Sequence, residues 1–74
     1  MPLLFASENE THVVSDLRGD EKTRKQLMHL GFIKNTPVYI KSADRGSLIV
    51  QIRGSVLALD RKMASRILVE RSMA

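Results

Sequence analysis

The segment Leu27-Met28-His29-Leu30-Gly31-Phe32-Ile33-Lys34-Asn35-Thr36-Pro37-Val38-Tyr39-Ile40 changes period at its middle, and that change limits the folds open to the chain. Before Gly31, Leu27 and Leu30 stand three apart, a helical spacing that predicts a buried stripe with Met28 at its edge and His29 outside. After Pro37 the period is two, Val38 and Ile40 alternating with Tyr39 and Lys41 as in a strand with one buried face. A glycine just past a helix supplies the left-handed conformation that closes it, and Phe32 can then fold back onto Leu27. Asn35 tolerates positive φ best after glycine, so Lys34-Asn35-Thr36 reads as a tight turn into a strand that Pro37 begins. The corner passes from helix to strand and is architectural first.

On either side of the corner the pattern is strand-rich. From His12 to Leu17 the β-branched run predicts a short strand, and Arg18-Gly19-Asp20 a turn. The same tripeptide serves elsewhere as an integrin-binding motif, but without an export signal it reads here as a turn. Asp20 can cap the helix, Glu21 favours its dipole, and Lys22, Arg24 and Lys25 oppose it. After Pro37 a polar turn, Ala43-Asp44-Arg45-Gly46-Ser47, leads to Leu48, Val50 and Ile52, completing a hairpin. Gly54-Ser55 turns the chain into Val56-Leu57-Ala58-Leu59, Asp60 can cap a single helical turn from Arg61 to Ser65, and Ile67-Leu68-Val69 forms a last strand. The expected fold is mainly β: a small barrel of about five strands, with one α-helix after the first and a short helical turn before the last. Closure would remove the unpaired edges of so small a sheet.

Seventy-four residues allow one domain, 1–74, whose first ten residues read as a loosely held leader, although Leu3, Leu4 and Phe5 could fold back on the core. A chain this short buries only roughly 60% of its unfolded surface. With no cysteine to brace it, close packing of Leu, Ile, Val and Met must hold the core. No apolar run approaches the ~20 residues that cross a bilayer, and the start lacks the marks of a signal peptide, so the expected location is the cytoplasm. The net charge of +4 is uneven: residues 1 to 20 set four carboxylates against Arg18, while the eleven other Lys and Arg lie beyond. Such a field draws a domain toward acidic partners without choosing among them.

No reaction centre is legible. His12 and His29, the only histidines, lack a metal-ligand spacing and read as solvent-facing imidazoles. His12, Ser15 and Asp16 cannot converge from one strand, and there is no glycine-rich phosphate loop. The expectation is a non-enzyme with no cofactor, no metal site and no catalytic residue.

The ordered set Leu30-Gly31-Phe32, then Arg53-Gly54-Ser55-Val56-Leu57-Ala58-Leu59, then Ala64-Ser65-Arg66-Ile67-Leu68-Val69 resembles the ferrous iron transport protein A family, FeoA, over about His12 to Glu70. The resemblance implies an SH3-like β-barrel with a helix between its first two strands. It also implies a small cytosolic accessory of ferrous iron transport, a protein-binding module whose partner is the cytoplasmic GTPase part of the transporter. Many members carry glycine where Asn35 stands, and a proline-bearing loop where this chain has Ala43 to Ser47, so no binding role is assigned to that loop.

The expected partner surface is the helix end and its corner, Met28, His29, Phe32, Ile33 and Tyr39, with the edge strand Ile67 to Glu70 as the alternative face. Gly31, Asn35, Gly46 and Gly54 are the expected structural turns. A nucleic-acid-binding barrel is the second reading, but three aromatic residues are too few for a stacking platform, so no specific nucleic acid is expected. A regulatory domain like the C-terminal domain of metal-dependent repressors is the third, and it needs a metal site that the sequence does not show. No membrane insertion is expected, and self-association is expected to be weak if it occurs.

Overall fold

Residues 1–71, those that the computed structural model describes, form a 310 turn at Leu3–Phe5 followed by β1 (Thr11–Leu17), α1 (Glu21–His29), β2 (Pro37–Asp44), β3 (Ser47–Ile52), β4 (Ser55–Leu59), α2 (Arg61–Ser65) and β5 (Ile67–Arg71). The end of the domain expected at residue 74 lies outside the described residues. The five strands make one antiparallel sheet in the order β4-β3-β2-β1-β5. Alternation puts His12 and Val14, Val38 and Ile40, Leu48, Val50 and Ile52, and Ile67 and Val69 on one face. Leu27 and Phe32 from the helix corner complete the core from that side.

The sheet bends without closing. Bulges interrupt the β1–β5 ladder between Val14 and Asp16 and the β2–β3 ladder between Ile40 and Ser42, and each bulge curls its strand around the core. β4 and β5 nevertheless remain the two edges and do not pair, so the closed barrel expected from the sequence is an open five-stranded sheet. The chain crosses between the edges by α2, which presents Ala64 to the core.

The first hairpin turn is tighter than the sequence indicated, and the second lies one residue earlier. Strands β2 and β3 run up to Asp44 and from Ser47, leaving only Arg45-Gly46 between them, and Arg53-Gly54 joins β3 to β4. All four of these residues have positive φ, 51° and 85° in the first turn and 49° and 80° in the second. Two consecutive positive values give the mirror-image turn whose twist suits a hairpin.

Three further departures from the sequence reading concern burial. The leader is tied down: Leu3 is fully buried, Pro2 bridges to Leu68, and Asn9 N–H donates to the Ile40 carbonyl at 2.7 Å. Leu30 is not in the buried stripe but 43% exposed, because the helix ends at His29 and Leu30 is its cap. The chain reverses at Gly31, and Phe32 takes the core position instead. His12 is not solvent-facing: standing two residues from Val14 on β1, it shares the inner face and is 1% exposed. Among the described residues no helix is long and apolar enough to cross a membrane.

Candidate groove between the helix and the first strand

Helix α1 is fixed at both ends by its own sequence. Asp20 accepts the Thr23 N–H at 2.8 Å at the start. At the finish the Phe32 N–H donates to the Leu27 carbonyl at 3.1 Å and the Gly31 N–H to the Met28 carbonyl at 3.0 Å. That pair of reversed bonds is the Schellman closure, and it needs Gly31 at φ 109°. The closure drives Phe32 inward and leaves Met28 and Ile33, on either side of it, 43% and 44% exposed.

The following turn is sewn to β1. Asn35, at φ 73°, donates its N–H to the Val14 carbonyl at 2.7 Å, and the Val14 N–H donates to the Thr36 carbonyl at 3.0 Å. Just beyond Val14 the β1 bulge shifts Ser15 and Asp16 out of regular register, and the Asp16 carboxylate turns back to accept the Leu17 N–H at 2.8 Å. Helix, turn and bulged strand enclose a groove of about 540 Å³ lined by Val14, Ser15, Asp16, Leu17, Arg24, Met28, Phe32, Ile33 and Lys34. Its apolar contacts come from Met28, Ile33, Leu17 and the buried Phe32 beneath them. Its charges are Arg24 and Lys34 against Asp16, so the rim is net positive.

The five expected contact residues therefore fall into three places. Met28 and Ile33 line the groove and Phe32, at 0% exposure, lies beneath it as core, not as a free contact. His29 lies outside it, in a shallow depression along α1 with Asp20, Glu21, Lys22, Lys25 and Gln26. Tyr39 sits on the outer face of the sheet beside Thr11 and Gln51, its hydroxyl 3.3 Å from Asn9 Oδ1. The alternative face fares worse: the outer edge of β5 is already occupied, Val69 N–H donating to the Met1 carbonyl at 2.7 Å. Asp16, Arg24 and Lys34 were missed because they belong to three elements whose meeting depends on the bulge.

Among the described residues no group of three or more His, Asp or Glu side chains stands close enough to hold a metal ion. Among the described residues His12 is the one buried polar side chain, its Nε2 3.8 Å from Glu10 Oε2 and its Nδ1 without a hydrogen-bond partner there. The Lys25–Glu21 pair, 3.2 Å apart on the helix surface, is exposed on both sides and adds little.

A family model described as the FeoA domain matches residues 1–71. The chain belongs to the FeoA domain family. The fold recurs in an NMR structure of an FeoA-like protein from Clostridium acetobutylicum, 24% identical, covering 100% of this chain and 88% of that one with a TM-score of 0.87. It recurs in a crystal structure of Stenotrophomonas maltophilia FeoA complexed with zinc, 24% identical, covering 95% and 89% with a TM-score of 0.83. That protein is described as an SH3-domain protein and a candidate activating factor of bacterial ferrous iron transport. A manganese-dependent transcriptional repressor in complex with manganese is similar at 17% identity and a TM-score of 0.87, over 96% of this chain and 36% of the repressor. At these identities the likenesses carry the FeoA fold alone. No curated protein matches the chain by sequence.

Proposed function

We propose that this chain is a cytoplasmic, non-catalytic accessory of ferrous iron transport that docks on the cytoplasmic GTPase part of the iron transporter through the α1–β1 groove. Membership of the FeoA domain family and the activating-factor description of the Stenotrophomonas relative support the transport role. The observation that carries the docking role is the pairing of two exposed apolar side chains, Met28 and Ile33, with a rim holding Arg24 and Lys34 against Asp16 alone. An apolar segment bearing carboxylates would bury its side chains against Met28, Ile33 and Leu17 while the cations guide its approach. Interfaces draw most of their affinity from such a small apolar centre, and the surrounding charges set rate and orientation.

Titration of the purified chain with the transporter's soluble GTPase domain tests this reading. Met28→Glu with Ile33→Glu should leave the melting temperature nearly unchanged, since exposed substitutions usually cost within about 0.5 kcal/mol. Binding should fall at least about tenfold, which corresponds to about 1.4 kcal/mol. Tyr39→Ala with His29→Ala, outside the groove, should weaken it less. A groove variant that stays folded and binds as tightly as the unaltered chain would overturn the assignment.

A further inference from the structure

The outer edge of β4 is bare in a way that the edge of β5 is not. In the β3–β4 hairpin the two-residue turn makes Ile52 and Ser55 the first hydrogen-bonded pair, and bonding then alternates along the ladder through Val50 with Leu57 and Leu48 with Leu59. Ser55, Leu57 and Leu59 thus turn their backbone groups toward β3, and Val56 and Ala58 turn theirs outward. Among the described residues no other backbone group takes them up. From Ser55 to Leu59 there is no charge and no proline, Val56 is 56% exposed, and the β3–β4 ladder has no bulge although the β1–β5 and β2–β3 ladders do. Charges, prolines and bulges are the devices by which edge strands avoid pairing, and β4 has none of them.

We propose that the β4 edge pairs with β4 of a second copy of this chain, the two strands running antiparallel about a two-fold axis at Leu57. The placement is self-complementary. With the axis at Leu57, Val56 of each copy faces Ala58 of the other as a hydrogen-bonded pair, and all the outward donors and acceptors of both strands are satisfied. The two Leu57 residues face each other as a non-hydrogen-bonded pair, the closer kind, and cover the side chain that the single chain leaves half-buried. The central pairs, Leu57 with Leu57 and Val56 with Ala58, are apolar, and only Ser55, facing Leu59 at each end, brings a hydroxyl. The cations that bracket the strand are held elsewhere, the Arg53 stem against Gly31 and the Arg61 stem against Gly46. A strand of another sequence would satisfy the backbone but not this symmetry. One strand pair is a small interface, so association belongs at about 10 μM to 1 mM.

Sedimentation equilibrium of the full chain across that range is the test. The unaltered chain should approach twice its monomer mass. Ala58→Pro removes an N–H that points outward and serves no internal bond, and Val56→Lys puts a cation on the edge; both should remain monomeric. Val56→Lys alters only an exposed side chain, so it decides the matter if Ala58→Pro proves unstable. Because the chain has no cysteine, Leu57→Cys gives a second readout: it should form a disulfide-linked dimer about tenfold faster than Val56→Cys, whose copies stand diagonally apart. A chain that stays monomeric throughout, a Val56→Lys variant that dimerises like the unaltered chain, or equal cross-linking at the two positions would each overturn the proposal.

Discussion

The sheet ends in two ways, and the contrast shows what holds a 74-residue domain together. At the β5 border the leader lies alongside the strand: Met1 exchanges hydrogen bonds with Val69 in both directions, Pro2 bridges to Leu68, and Leu3 enters the core. At the β4 border, among the described residues, nothing pairs with the outer edge of the strand, and its two ends are pinned by arginine stems instead. Arg53, in the turn before β4, lies over Gly31 at the end of α1, and Arg61, just after it, lies over Gly46 in the β2–β3 turn. One border is finished by backbone pairing and burial; the other is held at its ends and left open along its length.

The largest effect should come from undoing the first arrangement. Leu3→Ala deletes a fully buried side chain and leaves a cavity beneath the leader, which should cost about 2–5 kcal/mol. For a small domain that is a large share of its total stability, so the melting transition should drop steeply or disappear. Loss of Leu3 should also free the β5 edge and make the two borders alike, raising self-association above that of the unaltered chain. A melting temperature within a degree or two of the original would mean that the leader rests on the fold without supporting it.

Next in size is the pin at Gly31. A Cβ added there would come within 3.2 Å of Arg53 Cδ, and the residue stands at φ 109°, where a β-branched side chain is strained. Gly31→Val should cost about 1–3 kcal/mol, read by thermal or denaturant unfolding. It strikes the helix closure and the Arg53 stem together, so the β3–β4 turn should lose amide-exchange protection before the β5 side does. Protection lost equally at both borders would show that the arginine stem does not hold β4.

How much of this was legible in the sequence follows the range of the interactions. The helix end at Gly31, the alternation of β2 and β3 and the cap at Asp60 depend on neighbours within a few residues, and each stands in local sequence. Burial of Leu3 was not legible, because Leu3-Leu4-Phe5 has no period and its place depends on Val69 and Leu68, more than sixty residues away. The same holds for the open sheet: strand count suggested closure, but pairing of β4 with β5 depends on curvature that bulges supply. His12 could have been read as core from its spacing to Val14, yet its polarity drew the reading outward. For the groove, Met28 and Ile33 stood out as apolar residues around the glycine, whereas Asp16, Arg24 and Lys34 join them only once the β1 bulge and the Asn35 turn are in place.

The smallest expected effect concerns the helix caps. Asp20 and Asp60 each accept the N–H three residues on, from Thr23 and Met63, at 2.8 Å. The Asp20 carboxyl is held below the usual carboxylate range, first by the Thr23 backbone N–H and then by the Thr23 hydroxyl; desolvation opposes them, and the attraction of Arg66 and then Arg24 adds to the lowering. A carboxylate whose pKa is lower folded than unfolded contributes stability that is fully present above the unfolded value, 3.8, and is lost as pH falls through the folded value. Stability should therefore slope downward on acidification below about pH 4. Asp20→Asn keeps an oxygen to accept the Thr23 N–H but cannot titrate, so it should preserve the cap and flatten that slope. Unfolding curves collected from pH 7 down to 2.5 make the comparison. An Asp20→Asn slope equal to that of the unaltered chain would place the acid sensitivity on other carboxylates.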